Sequence, residues 1–156
     1  MCLKYVCDMN LKDKVIIVTG GRGLIGREIV RELNERGVRV VDADISCETD
    51  DEKGTFRLDL GSNESIDGLI GFTVNNYGHI DGLINAAYPH TKDWGRYRFE
   101  DTPFEHWEEN VRLQLNSVFY IDRQVSLVMA RQGYGSIVNF GSIYGIVGND
   151  FTIYED

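Results

Sequence analysis

Residues 19–26 read Thr19-Gly20-Gly21-Arg22-Gly23-Leu24-Ile25-Gly26 and lie between a predicted strand and a predicted helix. The preceding residues 15–18 are apolar and β-branched, which is typical of a strand buried on both faces of a parallel sheet. Apolar residues at helical spacing follow from Ile25 to Leu33, so a helix begins directly after the glycines. The stretch is therefore predicted to be a strand–turn–helix unit whose turn is rich in glycine.

The three spaced glycines of this turn have different physical roles. Gly20 permits a tight turn, Gly23 lets the backbone approach a pyrophosphate, and Gly26 lets the helix pack close to the strand. A turn that binds nothing is the alternative, although one glycine would suffice for such a turn. The N–H groups at the helix start face an anion, so the turn supplies these predicted dinucleotide-binding residues: Gly20, Arg22, Gly23, Leu24, Ile25 and Gly26.

The rest of the chain alternates strands with helices. Further strands are predicted at residues 38–44, 55–58, 83–86 and 137–140. Helices are predicted from the cap Ser62 to Tyr77 and over about 102–131, with a break near Asn110 and a capping box, Thr102-Pro103-Phe104-Glu105, at the start. This alternation implies right-handed βαβ units. We predict an α/β fold with a Rossmann-type, doubly wound parallel sheet that is incomplete on its C-terminal side.

The composition is that of one globular domain. The 156 residues are 42% hydrophobic and 26% charged. A net charge of −9 argues against nucleic acid as a partner, because phosphates would be repelled. No run approaches about 18 apolar residues, so no membrane helix is expected. Neither the histidines nor the cysteines (Cys2, Cys7 and Cys47) have metal-ligand spacing, so we predict no metal and a reducing, cytoplasmic location.

Three further motifs accompany the glycine turn. They are Leu58-Asp59-Leu60, Asn85-Ala86-Ala87 and residues 135–142, which read Gly-Ser-Ile-Val-Asn-Phe-Gly-Ser. With these four motifs in order, the sequence resembles the short-chain dehydrogenase/reductase superfamily over nearly its whole length. The glycine spacing is similar to that of the longer, sugar-nucleotide-modifying members.

The resemblance implies roles for individual residues. Ser142, after the fifth strand, polarises the substrate carbonyl, and its alternative role is to cap local backbone. Gln114 occupies the position of the family's helix asparagine; it retains an amide but is longer, which puts the family's proton relay in doubt. The implied cofactor contacts are Asp59 and Leu60 at the adenine, with Asn85, Ala86 and Ala87 at the end of the fourth strand.

The end of the second strand bears on cofactor choice. Asp44 lies 18 residues after Gly26, close to the expected spacing of an acid that accepts from the ribose hydroxyls and repels a 2′-phosphate. Asp42, two residues earlier on the same side of the strand, is the alternative, and a solvated acid at a strand end is the other. Arg22 matches a basic residue that helps some family members hold NADP. We predict NAD as the cofactor, with NADP less favoured.

The family's Tyr-x-x-x-Lys pair, which would follow Ser142, is absent from that part of the sequence. Tyr144 has Gly148 four residues later, and Tyr154 lies two residues before the last residue. We therefore expect residues 9–156 to be the N-terminal part of one NAD(P)-binding domain in a longer parent. Residues 1–8 are expected to be an upstream extension, and the 156-residue chain is expected to be inactive.

The predicted activity is that of an NAD-dependent oxidoreductase acting on an alcohol or carbonyl, with a sugar as a candidate substrate. The loop at residues 85–89 and the glycine spacing are similar to members associated with flagellin modification and nonulosonic acid synthesis. A sugar-nucleotide epimerase or dehydratase and a non-catalytic dinucleotide-binding module are the alternatives. The resemblance also implies a homo-oligomeric parent and a substrate loop at residues 88–101.

Overall fold

The computed structural model describes residues 11–93 and 95–148. The expected extension at residues 1–8, the loop residue Trp94 and Tyr154 lie outside the described residues. Five strands form one sheet, and every pair of neighbouring strands is parallel. In chain order they are β1 Val15–Thr19, β2 Arg39–Asp44, β3 Thr55–Arg57, β4 Gly82–Asn85 and β5 Ser136–Asn139.

The strand order is β3-β2-β1-β4-β5. The chain therefore builds outward from β1 to one edge and then crosses back to lay β4 on the other side of β1. This reversal makes the sheet doubly wound and confirms the predicted fold class. It also places a crevice at the carboxyl ends of β1 and β4, where open α/β sheets bind ligands.

Three of the four α-helices cover the two faces of the sheet. On one face, α1 packs through Leu33 against Ile16, Val18 and Val40. On the other, α2 and α4 pack through Ile66, Leu69, Ile121 and Val125 against Ile17, Val41 and Leu83. All five residues of β1 are buried, as its apolar run predicts. The helices are α1 Gly26–Glu35, α2 Asn63–Tyr77, α3 Phe104–Val111 and α4 Ser117–Gln132.

Two of the helix ends have the residues that the sequence predicts, and one does not. Ser62 caps α2, since its hydroxyl accepts from the N–H of Ser65 at 3.2 Å. Gly133 ends α4 with φ +83°. The predicted capping box before α3 is wrong. The Thr102 hydroxyl instead donates to the carbonyl of Arg98 at 2.8 Å, across the 3₁₀ turn Phe99–Asp101, and no side chain caps α3.

The predicted break near Asn110 is a π-helical turn, Arg112–Asn116, between α3 and α4. Such a turn holds one extra residue and is frequently found at functional sites. The Ser117 hydroxyl donates to the carbonyl of Leu113 at this point. The turn joins α3 to α4, so the two helices form one nearly continuous helical segment without a loop.

Asp81 joins three strands at the amino edge of the sheet. One carboxylate oxygen accepts from Lys14 Nζ at 2.8 Å, and the other accepts from the N–H of Val15 at 2.8 Å. His79 Nε2 lies 3.0 Å from the second oxygen. The Asp81 carbonyl accepts from Ser136 at the start of β5. Burial would raise the pKa of this carboxyl, but the bonds from Lys14 and Val15 outweigh it and hold the pKa below its usual value.

Replacing Asp81 with alanine should lower the free energy of unfolding by about 2 kcal/mol at pH 7, because a buried charged hydrogen-bond acceptor is lost. The folded pKa is lowered from 3.8. The contribution of the Asp81 carboxylate to the free energy of unfolding is therefore complete above pH 3.8 and is lost as the pH falls through the lower pKa of the folded state. Urea denaturation followed by circular dichroism at pH 7, 5 and 3 measures this loss.

The matched control is Asp13→Asn, at the same edge. Asp13 is exposed, lies 3.9 Å from Arg39 and has φ +63°, a conformation that asparagine tolerates. Its effect should stay below about 0.5 kcal/mol at every pH. An Asp81→Ala deficit that persists unchanged at pH 3 would contradict the electrostatic explanation.

Candidate functional site at the carboxyl edge

The glycine-rich turn lies at the carboxyl edge of β1. Gly20 has φ +68°, a conformation open mainly to glycine. Its N–H donates to the carbonyl of Ala43 at the end of β2 at 2.8 Å, and its carbonyl accepts from Gly23 at 2.9 Å. The turn is therefore tied to the neighbouring strand and closed on itself before α1 begins.

The three motif glycines are needed for different reasons. A Cβ on Gly20 would lie 2.6 Å from Cα of Ala87, and a Cβ on Gly26 would overlap the carbonyl of Gly20. Both glycines are therefore required for close backbone packing. A Cβ on Gly23 would meet only the oxygen of Gly20, at 3.1 Å, and Gly23 is otherwise open to solvent. The open side of Gly23 fits a phosphate that must approach the backbone closely.

The amino end of α1 adds to this opening. The cap residue is Ile25, so no side chain accepts a hydrogen bond from the first turn. Leu24 and Ile25 are 76% and 54% exposed. A helix start without a side-chain cap has N–H groups available for an anion. The predicted cofactor contacts Leu24 and Ile25 thus fall on an uncapped helix start, whereas the N–H of Arg22, which precedes them, donates to Asp44.

Asp44, at the end of β2, lies beside the turn. One carboxylate oxygen accepts from the N–H of Arg22 at 3.0 Å. The other accepts from the hydroxyl and the N–H of Ser46 at 2.7 and 2.9 Å. Partial burial would raise the pKa of this carboxyl, but the bonds from Ser46 and Arg22 hold it below the usual value. Asp44 is therefore an anion at neutral pH, next to the glycine cradle.

Asp42, the alternative acid, lies beneath the turn instead of at its mouth. Its carboxylate accepts from Arg22 Nε at 2.7 Å, and the side chain of Arg22 is 51% exposed. The other oxygen, Oδ1, has no hydrogen-bond partner among the described residues. A Cβ on Gly21 would overlap this oxygen. The need for Gly21 was missed, because its only signal in the sequence is that the glycine is doubled.

The predicted adenine contacts lie at the same edge, after β3. Asp59 is exposed, and its carboxylate accepts from the N–H of Gly61 at 2.8 Å. The N–H of Asp59 donates to the Ser65 hydroxyl at 3.0 Å. Leu60 is half-buried and packs against the core below α2 and α4. The geometry leaves the Asp59 side chain accessible, and the adenine contact stays a prediction.

Asn85, at the end of β4, is the centre of a polar network. Its amide Nδ2 donates to Asp122 Oδ1 at 2.8 Å and to Asn139 Oδ1 at 2.7 Å. The amide of Asn139 donates to Asp122 Oδ2 at 2.7 Å. The hydroxyl of Thr19 donates to Asn85 Oδ1 at 3.4 Å. Both amide hydrogens of Asn85 are used within the protein, so its side chain braces β1, β4, β5 and α4.

Asp122 was missed in the sequence. Its signal is present, however: Asp122 follows Val118 by four residues and precedes Val125 by three, which places a carboxylate on the apolar face of α4. A charge on a buried stripe requires polar partners. Asn85 and Asn139, at the ends of two strands, are those partners.

Ser142 follows β5 at the carboxyl edge. It precedes the 3₁₀ turn Ile143–Gly145, and its hydroxyl accepts from the N–H of Tyr144 at 3.2 Å. The hydroxyl therefore caps local backbone, and it is exposed with its proton still available to donate.

Ala86 and Ala87 follow β4. The backbone of Ala87 lies against Gly20, and its N–H donates to the Thr19 hydroxyl at 3.4 Å.

Gln114 lies within the π-helical turn. Its Nε2 is buried and has no hydrogen-bond partner in the described ranges. A buried amide nitrogen without an acceptor is costly, which makes it a candidate donor toward a bound group. The structure thus retains a polar donor at this position, and its part in a proton relay stays a prediction.

The predicted substrate loop is braced against α3. Asn110 accepts from the N–H of Thr91 and donates to the Thr91 hydroxyl, both at 3.2 Å. His106 lies 3.3 Å from Asp93, and the ring of Tyr97 meets the ring of His106 edge-on. These contacts order the part of the loop nearest α3.

No group of three or more metal-ligating side chains occurs among the residues that the structure describes. None of the helices in these ranges combines the length and the apolar character that a membrane span requires.

Comparison with known proteins identifies relatives along most of the chain. The model of a family described as short chain dehydrogenase matches residues 14–154. A Campylobacter coli protein named post-translational flagellin modification protein A is 29% identical over 94% of this chain and 62% of its own length. A 7alpha-hydroxysteroid dehydrogenase of Bacteroides fragilis is 32% identical over 93% of this chain and 60% of its own.

A solved structure supports the same relationship. The short chain dehydrogenase of Leptospira borgpetersenii, crystallised with bound NAD⁺, superposes with a TM-score of 0.80 at 30% identity, over 98% of this chain and 60% of that one. The chain thus spans about 60% of the length of the relatives it matches. The predicted family resemblance, including the similarity to a flagellin-modification member, is confirmed.

The two glycines that flank the helix start should respond differently to substitution by alanine. Gly26→Ala should lower the free energy of unfolding by about 1–3 kcal/mol, because its Cβ overlaps a fixed backbone oxygen. Gly23→Ala should cost less than about 1 kcal/mol, because one neighbour shifts slightly, but should weaken binding of ADP-ribose about tenfold or more by blocking the phosphates.

Thermal denaturation and isothermal titration calorimetry with ADP-ribose measure the two effects. Gly71→Ala is the control in α2, since a Cβ there meets nothing within 4 Å. A Gly23→Ala variant that binds ADP-ribose like the wild type would remove Gly23 from the phosphate site.

Proposed function

The chain belongs to the short-chain dehydrogenase family, and we propose that it is the nucleotide-binding part of an NAD-dependent oxidoreductase. The bound nicotinamide would supply hydride transfer to or from an alcohol or carbonyl carbon. The chain's own residues would bind the adenosine and pyrophosphate half of the cofactor and polarise the substrate oxygen. The NAD⁺-bound relative from Leptospira supports a nicotinamide cofactor here.

The observation that carries this proposal is the arrangement of the glycine cradle beside Asp44. Gly23 is open where a phosphate would approach, the start of α1 has no side-chain cap, and Asp44 is joined to the turn through the N–H of Arg22. A pyrophosphate at the helix start would place the adenosine ribose toward the end of β2. The open Gly23, the uncapped helix start and the acid at the end of β2 therefore support binding of a dinucleotide.

Asp44 supports NAD over NADP. A carboxylate with a lowered pKa is charged at neutral pH and can accept from both ribose hydroxyls. The same charge repels a 2′-phosphate. The net charge of −9 adds to that repulsion at long range.

Asp44→Ala should weaken binding of ADP-ribose by about tenfold, because the acceptor for the ribose hydroxyls is lost. It should also narrow the difference in affinity between ADP-ribose and 2′-phospho-ADP-ribose, because the charge that repels the 2′-phosphate is lost. Calorimetric titration of the 156-residue chain with each ligand gives both affinities. Asp51→Ala, in the exposed turn before β3, is the control. Unchanged relative affinities would remove Asp44 from this role.

The substrate class is proposed from the relatives. A sorbitol-6-phosphate 2-dehydrogenase of Klebsiella pneumoniae, 32% identical over 91% of this chain and 57% of its own length, supports a sugar or sugar alcohol as the first substrate to test. The relative named as a hydroxysteroid dehydrogenase supports including other alcohols in the panel. We propose that the whole protein is a cytoplasmic homo-oligomer. Exposed apolar side chains on and next to α4, Leu115, Phe119 and Leu127, support self-association.

The catalytic proposal assigns Ser142 to the substrate oxygen. Its exposed hydroxyl lies at the carboxyl edge of β5 and can donate to a carbonyl. The family's tyrosine moves the proton and its lysine lowers the pKa of that tyrosine. No Tyr-x-x-x-Lys follows Ser142 in this sequence; the spacing occurs only at Tyr88 and Lys92, in the loop after β4. The 156 residues alone are therefore proposed to bind the cofactor without turnover, as a non-catalytic binding module would. An epimerase or dehydratase remains the other alternative and would retain tightly bound NAD.

Ser142→Ala should lower kcat by about 10²–10³-fold in a protein that joins this chain to a segment with Tyr-x-x-x-Lys, because one donor to the reacting oxygen is lost. The Kd for NADH should stay unchanged. Ser136→Ala, an exposed serine at the start of β5, is the control. Steady-state assays with a panel of sugars and alcohols measure kcat.

The 156-residue chain serves as the baseline of the same assay and should show no NADH formation with any substrate. Turnover by a monodisperse sample of this chain would contradict the need for the tyrosine and lysine. A Ser142→Ala variant with normal kcat would exclude the carbonyl-polarising role.

A further inference from the structure

Arg22 contacts two acids of β2 with two different groups. Its guanidinium Nε donates to Asp42 at 2.7 Å, and its backbone N–H donates to Asp44 at 3.0 Å. Asp42 and Asp44 lie two residues apart in the same strand, on the face that packs against α1. The side chain of Arg22 is therefore directed back toward β2, while its backbone holds the acid at the mouth of the site.

Asp42 has few other means of neutralising its charge. The residue is 9% exposed, and Gly21 lies directly against Oδ1. Within residues 11–93 and 95–148, Oδ1 has no hydrogen-bond partner and Arg22 is the one salt-bridge partner of the carboxylate. Removing the cation from a largely buried carboxylate leaves an uncompensated charge, which is strongly unfavourable. Arg22 is thus held more firmly than an arginine on an open surface.

We infer that Asp42 is a specificity-determining positioning residue, which acts on cofactor choice by holding the Arg22 side chain against β2. An arginine at this place in the turn is long enough to reach a phosphate beside Asp44, and guanidinium–phosphate pairs are strong and specific. Because the Arg22 guanidinium is bonded to Asp42, it could bind a 2′-phosphate only by leaving Asp42. The buried Asp42 carboxylate would then have no cationic partner. This inference rests on the proposed function, since it concerns the ribose end of the same site.

A purely structural role for the Arg22–Asp42 pair predicts something different. If the ion pair only fixes the turn, its removal should lower the stability of the protein. It should also change the affinities for ribose and 2′-phosphoribose ligands by the same factor. The positioning role predicts a change in the ratio of the two affinities, and predicts that this change requires the charge of residue 22. A double-mutant cycle separates the two roles.

The experiment titrates ADP-ribose and 2′-phospho-ADP-ribose into the 156-residue chain by calorimetry. Asp42→Ala should shift the affinity ratio about tenfold toward the 2′-phosphorylated ligand, because the released guanidinium can pair with the phosphate. Asp44 is still present, so the preference narrows without reversing. Arg22→Gln alone should leave the ratio within about twofold, since glutamine can still donate to Asp42 and the guanidinium takes no part in the wild type.

The double variant Asp42→Ala/Arg22→Gln is the decisive arm. It should not show the shift toward the 2′-phosphorylated ligand that Asp42→Ala produces, and its affinity ratio should lie within about twofold of the wild-type ratio. Asp13→Asn, which removes an exposed charge at the opposite edge of the sheet, controls for net charge and should not shift the ratio. Asp42→Asn keeps the size of the side chain and a neutral acceptor, so it should give a smaller shift in the same direction. It also provides a folded variant if thermal denaturation shows Asp42→Ala to be unstable.

The outcomes distinguish this inference from the proposed function. A wild-type chain that binds neither ligand would overturn the proposed function itself. The positioning role alone would be overturned if the wild-type chain binds ADP-ribose but Asp42→Ala changes the affinity ratio by the same factor with Arg22 and with Arg22→Gln. A loss of 2′-phospho-ADP-ribose affinity in Arg22→Gln, with ADP-ribose affinity kept, would also overturn it, because Arg22 would then already reach the phosphate.

Discussion

No side chain fits at Gly20 or Gly26 of the glycine-rich turn, and this constraint fixes the carboxyl edge of the sheet. Gly20 lies against the backbone of Ala87, and Gly26 lies against the carbonyl of Gly20. Because both approaches are backbone to backbone, the end of β1, the end of β4 and the start of α1 form one unit. Asp44 joins this unit through the N–H of Arg22. The phosphate cradle and the acid beside it are therefore positioned together.

Most of the fold could be predicted because its signals are local. The run at residues 15–18 is apolar and β-branched, and a strand buried on both faces needs little else. Ser62 caps the helix that it immediately precedes. The capping box at Thr102 failed for a reason outside the motif. A 3₁₀ turn just before α3 brings the carbonyl of Arg98 within reach, and that carbonyl takes the Thr102 hydroxyl.

The site was predictable where its residues follow one another and less so where partners lie far apart. The spacing of Gly20, Gly23 and Gly26 carries its own geometry. By contrast, Arg22 and Asp42 are separated by 20 residues, and the sequence shows each acid and base without its partner. The polarity of Asp122 on an apolar helix face was a usable signal, but only the sheet register shows that the amides of Asn85 and Asn139 meet it.

The network around Asn85 has one direction. The N–H of Ala87 donates to the Thr19 hydroxyl, that hydroxyl donates to Asn85, and the Asn85 amide donates to Asp122, which only accepts. Every dipole in this series points toward the same carboxylate, so each bond polarises the next, by about 10–30% in strength. The negative charge of the Asp122 carboxylate is thereby transmitted to the backbone of Ala87, which lies against Gly20. A helix on one face of the sheet and the ligand-binding turn at its edge are thus parts of a single electrostatic unit.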